Sequence, residues 1–247
     1  MPLYHTLKAL NSARTTYKGD TLGLVPTMGA LHQGHLSLIT KAKRESEVVW
    51  VTIFVNPTQF DRKDELDKYP ESLVADVAAI HEIGADINIF APTAKDMYPE
   101  GLATRTQTLD GLDNQMEGAD RPGHFDGVVT IVAKLFETLK PHQAYFGEKD
   151  FQQLQIIKKW AKEQQIGTKI IACPIVREAN GLAMSSRNTQ LSYKQRVEAG
   201  FIYEALLLCK NESLNKDSVY NTISKAFAAH PNFDLLYVLC AEEDTLI

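Results

Sequence analysis

The sequence is poor in the features that mark secreted, membrane-bound or nucleic-acid-binding proteins. Its three cysteines, Cys173, Cys209 and Cys240, are far apart and form no CxxC pair, which disfavours a disulfide framework and fits a reduced, cytoplasmic protein. There is no apolar leader and no apolar run of membrane length, so we predict no membrane partner. The formal charge of −5 argues against a general nucleic-acid surface. Any affinity for phosphate must therefore come from a few local cations.

What the chain does contain is ordinary for a globular protein of 247 residues with 44% hydrophobic content. The nearly continuous apolar run Val48–Val55 suits a parallel strand that is buried on both faces. Further strand-like runs alternate with helical patterns and lie at Leu22–Val25, Ile87–Phe90, Ala144–Phe146 and Lys169–Cys173. This alternation predicts an α/β fold, a Rossmann-like doubly wound parallel sheet of the nucleotidyltransferase type.

The pattern changes after Pro174, where helical periodicity dominates until a strand-like segment at Leu235–Leu239. We therefore predict a larger first domain at residues 1–174 and a smaller α+β domain at residues 175–247. We also expect a leading helix between residues 4 and 18, and a short strand around Thr104–Leu109 within long loops.

The segment Met28–His35 follows a strand and opens a helix, with His32 and His35 beside the helix N-terminus. Unpaired N–H groups and the positive end of the helix dipole make such a place a natural anion site. Gly29 and Gly34 would let a phosphate approach the backbone closely. The lack of an HExxH pattern or a third nearby ligand disfavours a metal site, whereas a purely structural histidine pair stays open as an alternative.

Two more polar segments directly follow predicted strands, Asn56–Gln59 and Gly147–Asp150. Because the carboxyl ends of parallel strands meet at one edge of a sheet, both can converge with the histidine segment. Lys149 would neutralise a polyphosphate, and Asp150 could orient Mg²⁺ or cap the helix, although a solvated charged turn is the plain alternative. A later loop, Met184–Arg187, carries two hydroxyls and a guanidinium that can grip phosphate oxygens.

Several motifs in order resemble the pantothenate synthetase (pantoate–β-alanine ligase) family of the HxGH nucleotidyltransferase superfamily. They are Pro26–His35, Phe54–Phe60, Arg121–Gly127, Tyr145–Gln153 and Pro174–Asn188. The resemblance implies ATP-dependent condensation of (R)-pantoate with β-alanine to give pantothenate, AMP and pyrophosphate through a pantoyl adenylate. It also implies a Mg²⁺ requirement and a homodimer, whereas the protein ligands of the metal stay unknown.

The resemblance also implies roles for individual residues. His35, Lys149 and Arg187 would be catalytic, and Gln59 and Gln153 would contact pantoate, with Gln59 also near β-alanine. The residues implied to bind ATP are Met28, Gly29, Ala30, Leu31, His32, Gln33, Gly34, His35, Gly147, Glu148, Lys149, Asp150, Val176, Met184, Ser185, Ser186 and Arg187.

The resemblance assigns a function to each domain as well. Residues 1–174 would bind ATP and residues 175–247 would form a lid, which we expect to be shortened because the family continues further. The loop Glu178–Asn188 is similar to the mobile KMSKS-type loop and is expected to close over the triphosphate.

Three other functions are compatible with parts of this pattern. A nucleotidyltransferase acting on a phosphorylated acceptor would share the first motif but need no amine substrate. A non-catalytic nucleotide-binding module would bind ATP without releasing pyrophosphate. An aminoacyl-tRNA synthetase is disfavoured by the short acidic chain.

Overall fold

The computed structural model describes residues 2–106, 109–211, 215–243 and 246. The chain forms two compact units, Met1–Ile175 and Val176–Ile247. The sequence places the domain boundary between residues 174 and 175.

The first unit is built on one six-stranded sheet in which every neighbouring pair is parallel. The strands are β1 (Leu3–Tyr4), β2 (Leu22–Thr27), β3 (Val48–Ile53), β4 (Asn88–Phe90), β5 (Gln143–Gly147) and β6 (Lys169–Cys173), in the order β1-β4-β3-β2-β5-β6. All six residues of β3 are buried, as its continuous apolar sequence predicts. The predicted doubly wound α/β fold is thus confirmed. The edge strand β1 was not predicted, because two residues carry no periodic signal.

Helices connect the strands and cover the sheet. They are α1 (Leu7–Arg14), α2 (Gln33–Glu45), α3 (Lys63–Asp67), α4 (Leu73–Ile83), α5 (Ala94–Met97), α6 (Met116–Asp120), α7 (His124–Leu139) and α8 (Phe151–Glu163). Short 3₁₀ turns follow β3 and β5, at Pro57–Gln59 and Glu148–Asp150. Within the ranges that the structure describes, no helix is long and apolar enough to cross a membrane.

The strand order reverses between β2 and β5, and the sheet opens at that point. Strand β2 pairs with β3 along its whole length, but with β5 only at Gly23 and Leu24. Pro26 lies beyond the last of these pairs and has no N–H to donate to a ladder. Parallel α/β sheets commonly bind ligands beyond the carboxyl ends of the strands at such a switch point.

The strand predicted around Thr104–Leu109 is wrong for residues 104–106 and 109, which have no strand structure; residues 107 and 108 lie outside the described residues. The backbone N–H of Arg105 donates to the Thr130 hydroxyl (2.8 Å) on α7 instead of to a neighbouring strand. The Arg105 side chain pairs with Glu137 on the same helix. A hydrogen bond to a helix side chain thus replaces the expected ladder.

The second unit contains a 3₁₀ turn at Ser186–Gln190, another at Cys209–Asn211, and the helices α9 (Tyr193–Glu198), α10 (Phe201–Leu208) and α11 (Lys216–Ala228). Its small core is formed by α10, α11 and the residue after α10: Phe201, Ala205, Cys209, Val219 and Ile223. The strand predicted at Leu235–Leu239 is wrong, since these residues have no regular secondary structure. Leu235 and Val238 pack against the helical core instead, so their burial does not depend on a β ladder.

Candidate active site

His32 and His35 form a reciprocal cap at the start of α2. His32 is the N-cap residue, and its Nδ1 accepts a hydrogen bond from the backbone N–H of Gly34 (3.2 Å). The Nδ1 of His35 in turn accepts from the backbone N–H of His32 (3.4 Å). The two rings lie 4.0 Å apart between centroids. When Nδ1 accepts, the proton of a neutral imidazole is on Nε2, so this arrangement selects the tautomer that donates from Nε2.

The environment of His35 keeps its ring uncharged. Burial is the largest cause that lowers its pKa to about 3, and the nearby His32 and Lys149 act in the same direction, whereas Asp150 opposes them. At neutral pH His35 is therefore a neutral hydrogen-bond donor. Because β2 and β5 are parallel neighbours, the segment after β5 begins at the same edge of the sheet as the turn that leads to His35.

The turn between β2 and α2 is held by a buried carboxylate that the sequence does not reveal. Asp76 on α4 accepts from the backbone N–H of Ala30 (2.9 Å, Oδ2) and of Leu31 (2.8 Å, Oδ1). Gly29 and Ala30 have φ angles of +82° and +49°, and a left-handed conformation costs a non-glycine residue roughly 1–2 kcal/mol. Because these two amides already bind Asp76, they are not available to an anion, which this segment would have to bind through the histidines and the first turn of α2.

A second polar network follows β3 and orients Gln59. The amide Nδ2 of Asn56 donates to Gln59 Oε1 (3.2 Å), and Gln59 Nε2 contacts Met28 Sδ (2.8 Å). Asn56 is itself fixed, since its Oδ1 accepts from the hydroxyl of Tyr98 (2.8 Å). A Cβ on Gly127 would lie 2.2 Å from the carbonyl oxygen of Thr58, so α7 can pack against this turn only because a glycine stands there. Asn56 was not predicted as an orienting residue.

The segment Arg121–His124 also contacts the turn that carries Gln59 and the residues that follow it. Arg121 forms ion pairs with Asp61 and Glu65, both at 3.1 Å, and its side chain is only 15% exposed. His124 Nδ1 lies 2.6 Å from the carbonyl oxygen of Gln59, and burial lowers the pKa of His124. These contacts tie the N-terminus of α7 to the turn that carries Gln59.

The lysine after β5 is held much more loosely. Lys149 Nζ pairs with the carboxylate of its own neighbour Asp150 at 2.9 Å, and the two side chains are 35% and 58% exposed. Asp150 stands at the N-cap position of α8 but makes no capping hydrogen bond, so the expected helix cap is not formed. Lys149 is therefore available to a ligand at the cost of one exposed ion pair.

The neighbouring glutamines of α8 have different environments. Gln152 is buried, donates to the carbonyl oxygens of Leu112 and Gln115 (both 2.7 Å), and accepts from the backbone N–H of Glu117 (3.1 Å). Gln153 is half-buried and has no side-chain hydrogen bond to any other described residue. Gln152 thus organises a loop, whereas Gln153 can serve a ligand.

The remaining predicted residues belong to the second unit. The backbone N–H of Met184 donates to the carbonyl of Val176 (3.0 Å), and Ser185 caps the 3₁₀ turn through the backbone N–H of Arg187 (3.3 Å). Ser186 is buried within that turn. These contacts order the segment that carries the predicted phosphate contacts.

The loop that begins at Glu178 is likewise ordered by contacts within its own unit. Glu178 accepts from Arg196 (2.7 Å) and from the side-chain amide of Asn188 (3.1 Å). Arg177 stacks over the ring of Tyr203 at 3.7 Å. Both ends of the loop Glu178–Asn188 are therefore held in place.

No group of three or more His, Cys, Asp or Glu side chains suited to a metal is present in the part of the chain that the structure describes. Mg²⁺ that accompanies a nucleotide needs only one or two carboxylates in addition to phosphate oxygens and water. Asp150, whose side chain is exposed, has the chemistry of such a ligand.

The parallel doubly wound sheet, whose strand order reverses between β2 and β5, defines the class, an α/β protein with a nucleotidyltransferase-like fold. The chain belongs to the pantoate–β-alanine ligase family, whose family model matches residues 3–247. The family resemblance seen in the sequence is thereby confirmed.

Individual relatives agree with this assignment. The pantothenate synthetase of Flavobacterium psychrophilum is 48% identical over 92% of this chain and 81% of its own length. The crystal structure of the Thermus thermophilus pantothenate synthetase matches with a TM-score of 0.93 at 40% identity, covering all of this chain and 89% of that one. A Francisella tularensis pantoate–β-alanine ligase, solved with "Beta-gamma ATP" and β-alanine, matches with a TM-score of 0.82 at 41% identity, covering 92% of this chain and 86% of that one.

Proposed function

We propose that the turn after β2 and the segment after β5 form the adenylation site for the reaction of this family. That reaction is the ATP-dependent condensation of (R)-pantoate with β-alanine, which gives pantothenate, AMP and pyrophosphate through a pantoyl adenylate. The observation that carries the assignment is the meeting of the histidine cap of α2 and the segment after β5 at one edge of the sheet, where the strand order reverses.

In the first step the pantoate carboxylate attacks the α-phosphorus of ATP, and the bond to pyrophosphate breaks. Negative charge moves onto the leaving group, where fixed hydrogen-bond donors and cations stabilise it. The Nε2–H of His35 is suited to donate to a phosphate oxygen without losing its proton. Lys149 supplies positive charge on a flexible stem that can follow the phosphates.

In the second step the amine of β-alanine attacks the acyl carbon of the adenylate, and AMP leaves. Gln59 and Gln153 are our candidates for holding pantoate. Met28 Sδ is a weak acceptor and engages only one of the two hydrogens on Gln59 Nε2, so the second is available to a substrate oxygen. A neutral amide binds such an oxygen without burying a second charge.

We assign the ATP contacts to the segments Met28–His35 and Gly147–Asp150 of the first unit, and to Val176 and Met184–Arg187 of the second. Within the first segment, Ala30 and Leu31 would act through the shape of the turn, since their N–H groups bind Asp76. Arg187 can bind phosphate oxygens bidentately. We infer that the first unit is the ATP-binding domain and the second the lid, whose loop Glu178–Asn188 closes to shield the adenylate from water.

We also infer that Mg²⁺ accompanies ATP and that Asp150 would hold it, because a divalent cation neutralises phosphate charge and orients the leaving group. A homodimer and a cytoplasmic location, both implied by the family, complete the proposal. A relative solved with "Beta-gamma ATP" and β-alanine supports the substrate assignment.

The test is AMP release measured with pantoate and β-alanine supplied together and separately. We expect AMP only when both are present, and pantoate-dependent pyrophosphate release in a single turnover without β-alanine. Pyrophosphate with a stable nucleotide-linked product, unchanged by β-alanine, would indicate a nucleotidyltransferase instead. ATP binding without pyrophosphate release would indicate a non-catalytic module.

A further inference from the structure

Asp76 is a buried charged residue that the reaction outlined above does not use. It is 3% exposed, and its carboxylate accepts three hydrogen bonds, from the backbone N–H groups of Ala30 and Leu31 and from the hydroxyl of Ser72 (3.0 Å). The two backbone donors come from a segment 45 and 46 residues away in sequence. Each carboxylate oxygen takes one of two consecutive amides, which a carboxamide cannot do because its nitrogen is a donor.

The turn that Asp76 binds is strained and crowded. Gly29 and Ala30 both have positive φ, and a Cβ on Gly29 would lie 3.1 Å from Asp76 Oδ2 and 3.0 Å from Ile53 Cγ2. A non-glycine residue keeps a left-handed conformation only when surrounding contacts hold it there. Such residues are frequent at functional sites. Asp76 supplies that constraint through the amide of the strained residue itself.

The conformation of the turn determines where the backbone of His32 lies. His32, the residue after Leu31, is the N-cap of α2 and has an extended backbone, with φ of −128°. Its backbone N–H donates to His35 Nδ1, so the direction of the His35 ring depends on where the turn places that N–H. Asp76 forms no hydrogen bond with either ring, and its contact with this segment is made through the backbone.

We propose that Asp76 is a positioning residue for adenylate formation. It holds the turn Gly29–Leu31 in its left-handed form and thereby fixes the point from which His35 donates to phosphate. The proposal rests on the function assigned above to His35.

The first test is Asp76→Asn, which keeps size and one acceptor but turns the second backbone contact into a clash of two donors. Misplacement of a reacting group by about 1 Å can cost on the order of 10²-fold in rate. We expect single-turnover adenylate formation to fall between about 10-fold and 100-fold, with the Kd for ATP changed less than about threefold. Ser72→Ala should cost less, and Glu82→Gln on the exposed face of the same helix should change nothing.

A double-mutant cycle with His35→Ala separates positioning from general structural damage. If Asp76 acts through His35, Asp76→Asn should have little further effect in the His35→Ala background, because groups that act as a unit are not additive. Ala30→Gly should partly restore the rate of Asp76→Asn, since glycine adopts the left-handed turn without strain. Additive losses in the cycle, or an unchanged rate in folded Asp76→Asn, would overturn the proposal.

The outcomes for the proposed function and for Asp76 are distinguishable. If the unaltered protein releases no pantoate-dependent pyrophosphate, the function itself is wrong. In that case the backbone amide resonances of Ala30 and Leu31 still test the anchoring contact, because Asp76→Asn should shift them and Glu82→Gln should not. If Asp76→Asn does not fold, the cycle is run with Ser72→Ala, where additivity would likewise overturn the proposal.

Discussion

Two segments at the same edge of the sheet are held in opposite ways. The turn after β2 is fixed by Asp76 and by the reciprocal histidine cap, and His35 is partly buried. The segment after β5 carries Lys149, which is one-third exposed and pairs with the adjacent Asp150. The difference fits their proposed tasks. A neutral donor must be aimed in advance, whereas a cation on a long stem can move to the charge it serves.

The largest expected effect is on catalysis at the loosely held segment. Lys149→Ala should slow adenylate formation on the order of 10²–10³-fold, by analogy with loss of other preorganised charge-stabilising groups. Its free energy of unfolding should change by less than about 0.5 kcal/mol, because an exposed ion pair contributes little. Single-turnover kinetics and a urea titration measure the two quantities. The control is Lys162→Ala in the last turn of α8.

At the anchored segment, His35→Ala should slow the same step by a similar factor but should also destabilise the protein, since a helix cap is lost. A near-normal single-turnover rate in either variant would contradict the role given to that residue. Equal stability losses in the two variants would contradict the contrast between the segments.

The two glutamines of α8 extend the contrast to neighbouring side chains. Gln152→Ala leaves buried backbone groups without their partner and should cost about 1–3 kcal/mol in the free energy of unfolding. Gln153→Ala should leave stability unchanged and raise the KM for pantoate. Denaturant titrations and steady-state kinetics on both variants provide the comparison. A stability loss at Gln153 with no change in KM would remove it from the substrate site.

The tautomer of His35 can be tested by two amide replacements. The side-chain amide of Gln can place an N–H near the position of Nε2, whereas Asn places its polar atoms near Nδ1 and can preserve only the cap. We expect His35→Gln to form adenylate roughly tenfold faster than His35→Asn, a difference of about 1.4 kcal/mol in the activation free energy. A faster Asn variant would mean that the cap, and not donation from Nε2, is what the reaction needs.

The partly buried His35 should also make the stability of the protein depend on pH. The pKa of His35 is lowered to about 3 in the folded state, against 6.5 as its ordinary value. Between these values the unfolded chain binds a proton that the folded chain does not, so stability falls as pH is lowered from about 6.5. His35→Gln should reduce that slope by up to about 1.4 kcal/mol per pH unit between pH 6 and 4. Identical slopes for both proteins would mean that His35 is charged or exposed.

The sequence predicts much of the fold and of the site, for a physical reason in each case. Strand β6 was predicted at its observed bounds, and the buried face of α7 follows from its periodic apolar residues. Apolar residues that recur with the period of a helix or strand indicate which face is buried, and this period can be seen in residues close together along the chain. The motifs after β2, β3 and β5 could be placed at one edge because parallel strands share their direction.

The failures have an equally physical origin. The segments at residues 104–106 and Leu235–Leu239 look strand-like, but a strand needs a partner, and neither segment pairs in a sheet. Arg105 satisfies its N–H on α7, and Leu235 and Val238 pack on helices. A local sequence pattern indicates which secondary structure a segment can form. It does not indicate which donor or acceptor the fold will bring opposite that segment.

By itself, the sequence determined the class of fold, the family, and the residue types gathered at the switch point of the sheet. Only the tertiary structure decided which of these groups are committed to the protein and which remain for a ligand. It assigned the amides of Ala30 and Leu31 to Asp76, oriented Gln59 through Asn56, and distinguished Gln152 from Gln153. Those decisions depend on hydrogen bonds between residues up to 46 positions apart, and no local pattern in the sequence specifies them.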